Sequence, residues 1–421
     1  MRFTTFLILG FFLTAATQSA QATSQWSRKY KRSCQSCHTA FPRLNYFGEK
    51  FMKNGYQDPD NSIADGGTLR KKTYGDLDLN TYIGDFLGVR VDINAVKYQS
   101  NHLAIDDKKT ASSLDLGKFG WAQIFAAGSI SKNISFFNEI EYGGTGTLKH
   151  GWARLGFHNI FDTTAVNLYV GKLSPADFTV HSDRLRLLSV KGLAIGRKSS
   201  LTGGATTAEA ESSPRDGQYG LQYYGYKNGL TWALGSSNGG ETSDNNGELN
   251  HWASLMWQSQ ADNSFEGSGL SLMYYAGTDT ANSGSGGSNQ ITNDFNRIIP
   301  GLNIRFKDWD IIASYTVGED DNDGLTSTAK KTEFNGKTII VSKMLSSKHH
   351  AGIQYDDLRY DDPDQGNADQ ERLTLRYSCF LKENVALHFL LDRDLLGKND
   401  ANDANKKYHA STFTLNLRTM F

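Results

Sequence analysis

From Tyr74 onward the chain repeats one pattern: about ten residues of alternating apolar and polar positions, then a turn. Leu77 and Leu79 alternate with Asp76, Asp78 and Asn80. Val89, Val91, Ile93 and Ala95 alternate with Arg90, Asp92 and Asn94. Ile134, Phe136, Ile140 and Tyr142 alternate with Glu139 and Glu141. The same holds for Leu302/Ile304/Phe306, Trp309/Ile311/Ala313/Tyr315, Leu373/Leu375/Tyr377 and Val385/Leu387/Phe389/Leu391. Successive side chains of a strand point to opposite faces, so each segment has one apolar and one polar face. The polar face carries charges at mid-strand again and again. A water-filled or plugged lumen accommodates that better than a soluble sandwich does.

The connections alternate too. Short ones are expected near 84–88, 131–133, 159–164, 227–228, 345–347 and 381–383. Long ones, rich in Gly, Ser, Asn and Asp, are expected near 99–118, 174–216, 238–248, 278–296, 318–332, 357–370 and 393–407. Short periplasmic turns and long outer loops give this rhythm, which predicts an all-β transmembrane antiparallel β-barrel over residues 61–421. The alternation template counts about seventeen strands, and bacterial single-chain barrels have even numbers, so 16–18 are expected, with Leu185–Leu193 as the doubtful strand. The last segment, His409 to Phe421, alternates Phe413, Leu415, Leu417 and Thr419 and ends on Phe421. It resembles the closing strand of outer-membrane barrels, with Thr419 in place of the aromatic often third from the end.

Composition agrees with a barrel. The 421 residues include 42 Gly and only 6 Pro, and 12% are aromatic. Mean hydropathy is −0.49, and beyond the N-terminus no apolar run reaches membrane-helix length. Net charge is −1, which leaves no basic face for nucleic acid. Residues 1–22 read as a signal peptide, with Arg2 as the charged region, Phe6–Ala16 as the apolar core and Ala20-Gln21-Ala22 as the cleavage site. Export, outer-membrane lipid as surroundings and an oxidising compartment follow.

Cys34-Gln35-Ser36-Cys37-His38 is C-x-x-C-H, the attachment signature of a c-type haem. The thiols of Cys34 and Cys37 add to the vinyl groups, and His38 supplies an axial nitrogen to the iron. A redox C-x-x-C or half a zinc site is the alternative. Zinc needs a second pair of ligands, yet the remaining cysteine, Cys379, is distant. Pro42 to Asn54 is expected to be a helix, with Pro42 in the first turn and Asn54-Gly55 at the cap. Phe41, Leu44, Phe47 and Phe51 form a stripe that can cover the porphyrin, with Arg43, Lys50 and Lys53 opposite. The segment 23–60 is too short to bury a haem alone and must borrow walls from the barrel. Met52, on the border of the stripe, is the candidate sixth ligand; His102, His150, His158, His181 or an open position are the alternatives. Which end of the pore this segment enters stays open.

Ser33 to Thr39, Phe41-Pro-Arg-Leu-Asn-Tyr-Phe-Gly and Asn54-Gly-Tyr are similar to the N-terminus of the fused monohaem cytochrome–porin family of bacterial outer membranes. The resemblance is specific over 28–57 and architectural beyond. It implies one covalent haem c on Cys34, Cys37 and His38, and a periplasmic cytochrome as electron partner. It also implies an extracellular donor such as Fe(II), since the best-known relatives are ferrous-iron oxidases. A diffusion porin with a haem-bearing plug or sensor, and a soluble periplasmic cytochrome with a β domain, are the competing readings. The run Glu319–Gly324 fails the calcium-loop pattern, which wants Asp first and Glu twelfth. The acidic stretches 319–323, 356–364 and 392–394 could attract Fe(II), but are expected to be solvated loops. His349 and His350 fall on opposite faces of a strand, and Cys379 is expected to face lipid.

Overall fold

The computed structural model describes residues 24–59, 71–74, 77–80, 83–103, 108–143, 146–182, 192–197, 206–209, 213–239, 247–283, 289–323, 330–361, 369–396, 398–400 and 403–421. The signal segment and most of Leu185–Leu193 lie outside these. An 18-stranded antiparallel sheet dominates the chain. Two of its members, Thr206–Glu209 and Lys398–Asp400, are short additions to neighbouring strands. The other sixteen close a barrel, at the low end of the expected count.

In chain order these are β1 (Leu87–Leu103), β2 (Lys109–Ser131), β3 (Ile134–Gly143), β4 (Leu148–Phe157), β5 (Asn167–Leu173), β6 (Gln218–Lys227), β7 (Leu230–Ser237) and β8 (Asn250–Gln258). Then come β9 (Gly269–Ser283), β10 (Asn289–Phe306), β11 (Trp309–Asp320), β12 (Thr332–Ser346), β13 (His349–Tyr360), β14 (Gln370–Lys382), β15 (Val385–Asp394) and β16 (Asp403–Met420). Each pairs with its chain neighbour, and β16 returns to β1 through Leu417↔Ile93 and Thr419↔Val91. Phe421 finishes the closure: its N–H donates to Val89 O at 2.7 Å, and Val89 N–H to Phe421 O at 2.9 Å.

The two faces separate as the alternation requires. Gln123, Gln222, Thr231, Asn303, Asp310, Thr338, Gln354, Thr374 and Ser378 point into the lumen and are buried. Leu221, Leu234, Leu255, Leu272, Ile298, Ile339, Ile353, Leu375 and Phe413 stand exposed outside. That exterior belt is what lipid covers, and Trp257, Phe265, Phe306, Trp309 and Phe421 stand exposed near the short-turn rim, where interfacial aromatics belong.

Several expectations change. Lys71–Tyr74 and Leu77–Asn80 pair with each other as a separate two-stranded sheet and take no part in the barrel. The regions 99–118, 278–296 and 393–407 are largely paired strand: His102↔Lys109, Ser283↔Asn289 and Asn399↔Lys407 extend the hairpins. Their polar alternation lacks an apolar face, so it reads as loop. The acidic stretches are not simply solvated either. Asp320 and Asp323 pair with Arg197, all three being buried, and Asp356 pairs with Arg372.

Candidate functional site

The N-terminal segment is held within the barrel at its short-turn end. Cys34 N–H donates to Glu383 Oε2 at 3.4 Å in the β14–β15 turn, and Gln35 Nε2 to Ser347 O at 3.0 Å in the β12–β13 turn. Gln57 Nε2 donates to Lys132 O at 2.6 Å in the β2–β3 turn. The end of entry, open from sequence, is therefore the one where both chain termini of the barrel lie.

Its local fold differs from one long helix. A first helix, α1, covers Gln25–Tyr30. The motif forms a turn, and His38–Ala40 pairs back on Arg43–Leu44. The second helix, α2, spans only Tyr46–Lys53. Asn45 caps it, its Oδ1 accepting the Gly48 N–H at 2.9 Å, which satisfies an otherwise orphaned donor. Residues 42–44 are spent on the pairing, so the helix starts at the cap and not at Pro42. Gly48 is where α2 meets the motif: a Cβ there would lie 2.2 Å from Cys37 O. Only glycine permits that approach.

The polar side of the segment grips the wall. Arg43 is wholly buried; its Nε donates to Asp310 Oδ2 at 2.6 Å and its Nη2 to Asn303 Oδ1 at 2.9 Å. Lys53 Nζ donates to Gln258 Oε1 at 2.9 Å and Thr231 Oγ1 at 3.2 Å. Glu49 accepts from Arg305 and Gln258. Buried charges persist where they are paired, and these partners come from β7, β8, β10 and β11.

The other side lines a cavity of about 1420 Å³, counting the part open to solvent. Cys34, Cys37, His38, Phe41, Leu44, Phe47, Phe51 and Met52 come from the segment, and Arg90, Gln123, Phe125, Phe137, Glu139, Trp152 and Met420 from the barrel. The structure thus brings together Cys34, Cys37, His38 and Met52. His102, His150, His158 and His181 do not line this cavity. His158 is engaged on both nitrogens, with Ser135 at 2.6 Å and Tyr224 at 2.8 Å, and His150 meets Asn138 at 2.5 Å. Met420 was missed from sequence, although the alternation that puts Leu417 and Thr419 outside puts Met420 inside.

Do these residues fit a c-type haem? His38 Nδ1 lies 3.2 Å from Pro42 O. A carbonyl only accepts, so Nδ1 carries the proton and Nε2 is left as the lone-pair nitrogen, the arrangement a metal-binding histidine wants. Burial pushes its pKa down to about 4, so the ring is neutral. Burial pushes Cys34 up to about 11, helped by Glu383, and Cys37 likewise to about 11. A redox C-x-x-C lowers its thiol to roughly 3.5–7.5; this pair is shifted the other way. Among the described residues no group of three or more His, Cys, Asp or Glu is placed to hold a metal. Finally, Gln25 is buried, and among the described residues neither its amide nor the buried Trp26 indole N–H has a hydrogen-bond partner. Both line the cavity. Buried polar groups are normally satisfied, so these two fit a site with a polar ligand group. The residues fit the haem.

No protein-family model and no curated protein matches the chain. Solved structures do. An anion-selective porin from Comamonas acidovorans superposes with a TM-score of 0.54 at 10% identity, covering 80% of this chain and 99% of that one. The outer-membrane channel DcaP of Acinetobacter baumannii gives 0.50 at 10% identity over 80% and 97%. Salmonella typhi OmpF, in complex with daunomycin, gives 0.50 at 13% identity over 83% and 100%. At such identities the likeness is one of fold: the chain has the β-barrel fold of outer-membrane porins.

Proposed function

We propose that this barrel carries one covalent haem c and passes single electrons across the outer membrane, between an extracellular redox partner and a periplasmic electron-carrier cytochrome. The observation that carries the reading is the cavity: C-x-x-C-H and its apolar cover lie inside the lumen at the short-turn end. Cys34 and Cys37 would hold the haem covalently, and His38 Nε2 would be the proximal ligand. Met52 or Met420, the two methionines lining the cavity, would be the candidate second ligand. When bound, the haem supplies one-electron chemistry. The chain's own contribution is to fix the His38 tautomer through Pro42, to exclude water with Phe41, Leu44, Phe47, Phe51, Phe125 and Phe137, and to hold the site at one end of the barrel. The resemblance over 28–57 adds Fe(II) as the extracellular donor.

A second reading has its own support. The fold likeness is to an anion-selective porin and an outer-membrane channel, which favours a diffusion pore with a haem-bearing plug. Two measurements on the purified full-length protein separate them. Haem stain that survives a denaturing gel, with ferric-to-ferrous reduction on adding Fe(II), supports electron transfer. Absence of covalent haem defeats it, and a large steady bilayer current with the segment still docked supports the pore.

A further inference from the structure

We infer that Arg90, the Trp26 indole N–H and the Gln25 amide form the anion end of the cavity, a subsite for the two propionate carboxylates of the haem. This deepens the electron-transfer reading and rests on it. In a porphyrin the two vinyl carbons that bond cysteine lie along one side, and the propionates leave from the opposite side. Cys34 is fixed beneath β12–β15, by its contact with Glu383 and that of Gln35 with Ser347. The wall that continues past β16 comes from β1–β4, where Arg90, Gln123, Phe125, Phe137 and Trp152 line the same cavity. A macrocycle tethered at Cys34 and Cys37 would extend from the β12–β15 turns along this cavity, with its carboxylates toward Arg90.

That wall is prepared for an anion. The Arg90 guanidinium lies over Trp121, Phe125 and Phe41, 4.5, 5.2 and 5.3 Å from their ring centres. It is thereby fixed in place, and it donates to Gln123 Oε1. Two carboxylates, Glu139 and Glu141, face the cavity as well; both accept from the Gln123 amide. From α1, the Gln25 amide and the Trp26 N–H complete the set, and among the described residues neither has a hydrogen-bond partner. Trp26 is held by stacking on Tyr56, ring centres 4.8 Å apart. Gly88 keeps the space beside Gln25, since a Cβ there would sit 2.3 Å from its Oε1. A carboxylate would accept from the Gln25 Nε2–H and the Trp26 indole N–H, the two donors left without a partner among the described residues.

The test is spectroelectrochemistry of the full-length membrane protein across pH 5 to 9, with haem loading checked by denaturing-gel stain. Positive charge beside the haem favours the reduced state. Arg90→Gln should therefore shift electron exchange with a reference couple about tenfold toward the oxidised form, ~59 mV for one electron. Arg90→Lys should recover most of that shift, which a merely structural role would not give. Trp26→Phe keeps the ring stack and deletes only the donor. It should move the pH-dependent step of the potential upward, because a carboxylate that loses a donor gains proton affinity. If Arg90→Gln and Trp26→Phe load haem and leave both potential and pH profile as in the native protein, the subsite is refuted while the haem reading stands. Should Arg90→Gln fail to assemble, Trp26→Phe decides alone. A native protein without covalent haem overturns both.

Discussion

Arg43→Met should undock the N-terminal segment without opening the barrel. Arg43 is completely buried between the segment and the wall, 267 positions from its partner Asp310 in sequence. Methionine keeps length and apolar stem but removes the charge. Asp310 is then left in the lumen wall with the Asn303 amide, which donates to it at 2.7 Å. Removing one partner of a buried pair costs about 3–5 kcal/mol. At 1.4 kcal/mol per tenfold, the docked population falls roughly one hundred- to five-thousandfold relative to the undocked one. The Glu49–Arg305 pair and the Lys53 contacts persist, so the lower end of that range is the better guide. The assay is hydrogen exchange over residues 34–53 beside strands β9–β12 in the same sample. Faster exchange confined to the segment is expected, and Arg43→Met with Asp310→Asn should recover part of the protection. Native protection of the segment in Arg43→Met would refute the view that this buried pair is the latch.

Cys34→Ala with Cys37→Ala should abolish covalent haem stain, since Cys379 is the sole remaining thiol. Met52→Ala should lower the reduction potential and remove any methionine-to-iron charge-transfer band, while Met420→Leu leaves both; the reverse outcome places the ligand on β16. Deleting Phe421 should reduce outer-membrane levels severely, as measured by heat-modifiable gel mobility, because it removes two hydrogen bonds of the β16–β1 closure. His181, in the inward connection after β5, is pushed down to about 3 by burial and by Arg215, against the Pro300 carbonyl. Its folded value lies below the ordinary 6.5, so the unfolded form binds more protons between those limits. Order in residues 174–182 should be complete above pH 6.5 and decline as pH falls toward 3, by hydrogen exchange; His181→Gln should flatten that dependence.

The barrel was legible because two solvents enforce it: lipid outside and a polar lumen inside leave a period of two on every membrane-crossing strand. Where a strand rises beyond the membrane, as in 109–118 or 278–283, that constraint lapses and Ser, Asp and Gly runs look like loop. The C-x-x-C-H motif was visible in the sequence because its residues are contiguous. The start of α2 was not, since it depends on the His38↔Leu44 pairing and the Asn45 cap. Nor were the luminal ion pairs. Arg197 meets Asp320 across 123 positions, and Arg154 meets Asp177 on an inward-folded connection. No local pattern announces partners brought together by closing a cylinder. Met420 is the instructive intermediate case: the face it occupies follows from parity, but its sharing a cavity with His38 follows only from where the segment docks.

The two functional readings differ in what has to move. On the barrel side of the cavity lined by Cys34, Cys37 and His38, Arg154 lies 4.4 Å over the Tyr169 ring and donates to Tyr56 Oη at 3.1 Å. Phe178 stacks on Tyr224 and Tyr169, ring centres 4.4 and 6.0 Å apart, and all three rings are buried. A hydrated ion cannot pass between rings in contact, so solute flow along this side requires the segment and residues 174–182 to leave. An electron needs no opening, and ligation by a methionine and His38 needs the segment to stay. Arg43→Met therefore sets the readings against each other. If electron transfer is the activity, loosening the segment should slow haem reduction by an external donor as conductance rises. If diffusion is the activity, the same change should raise solute flux with no loss of function.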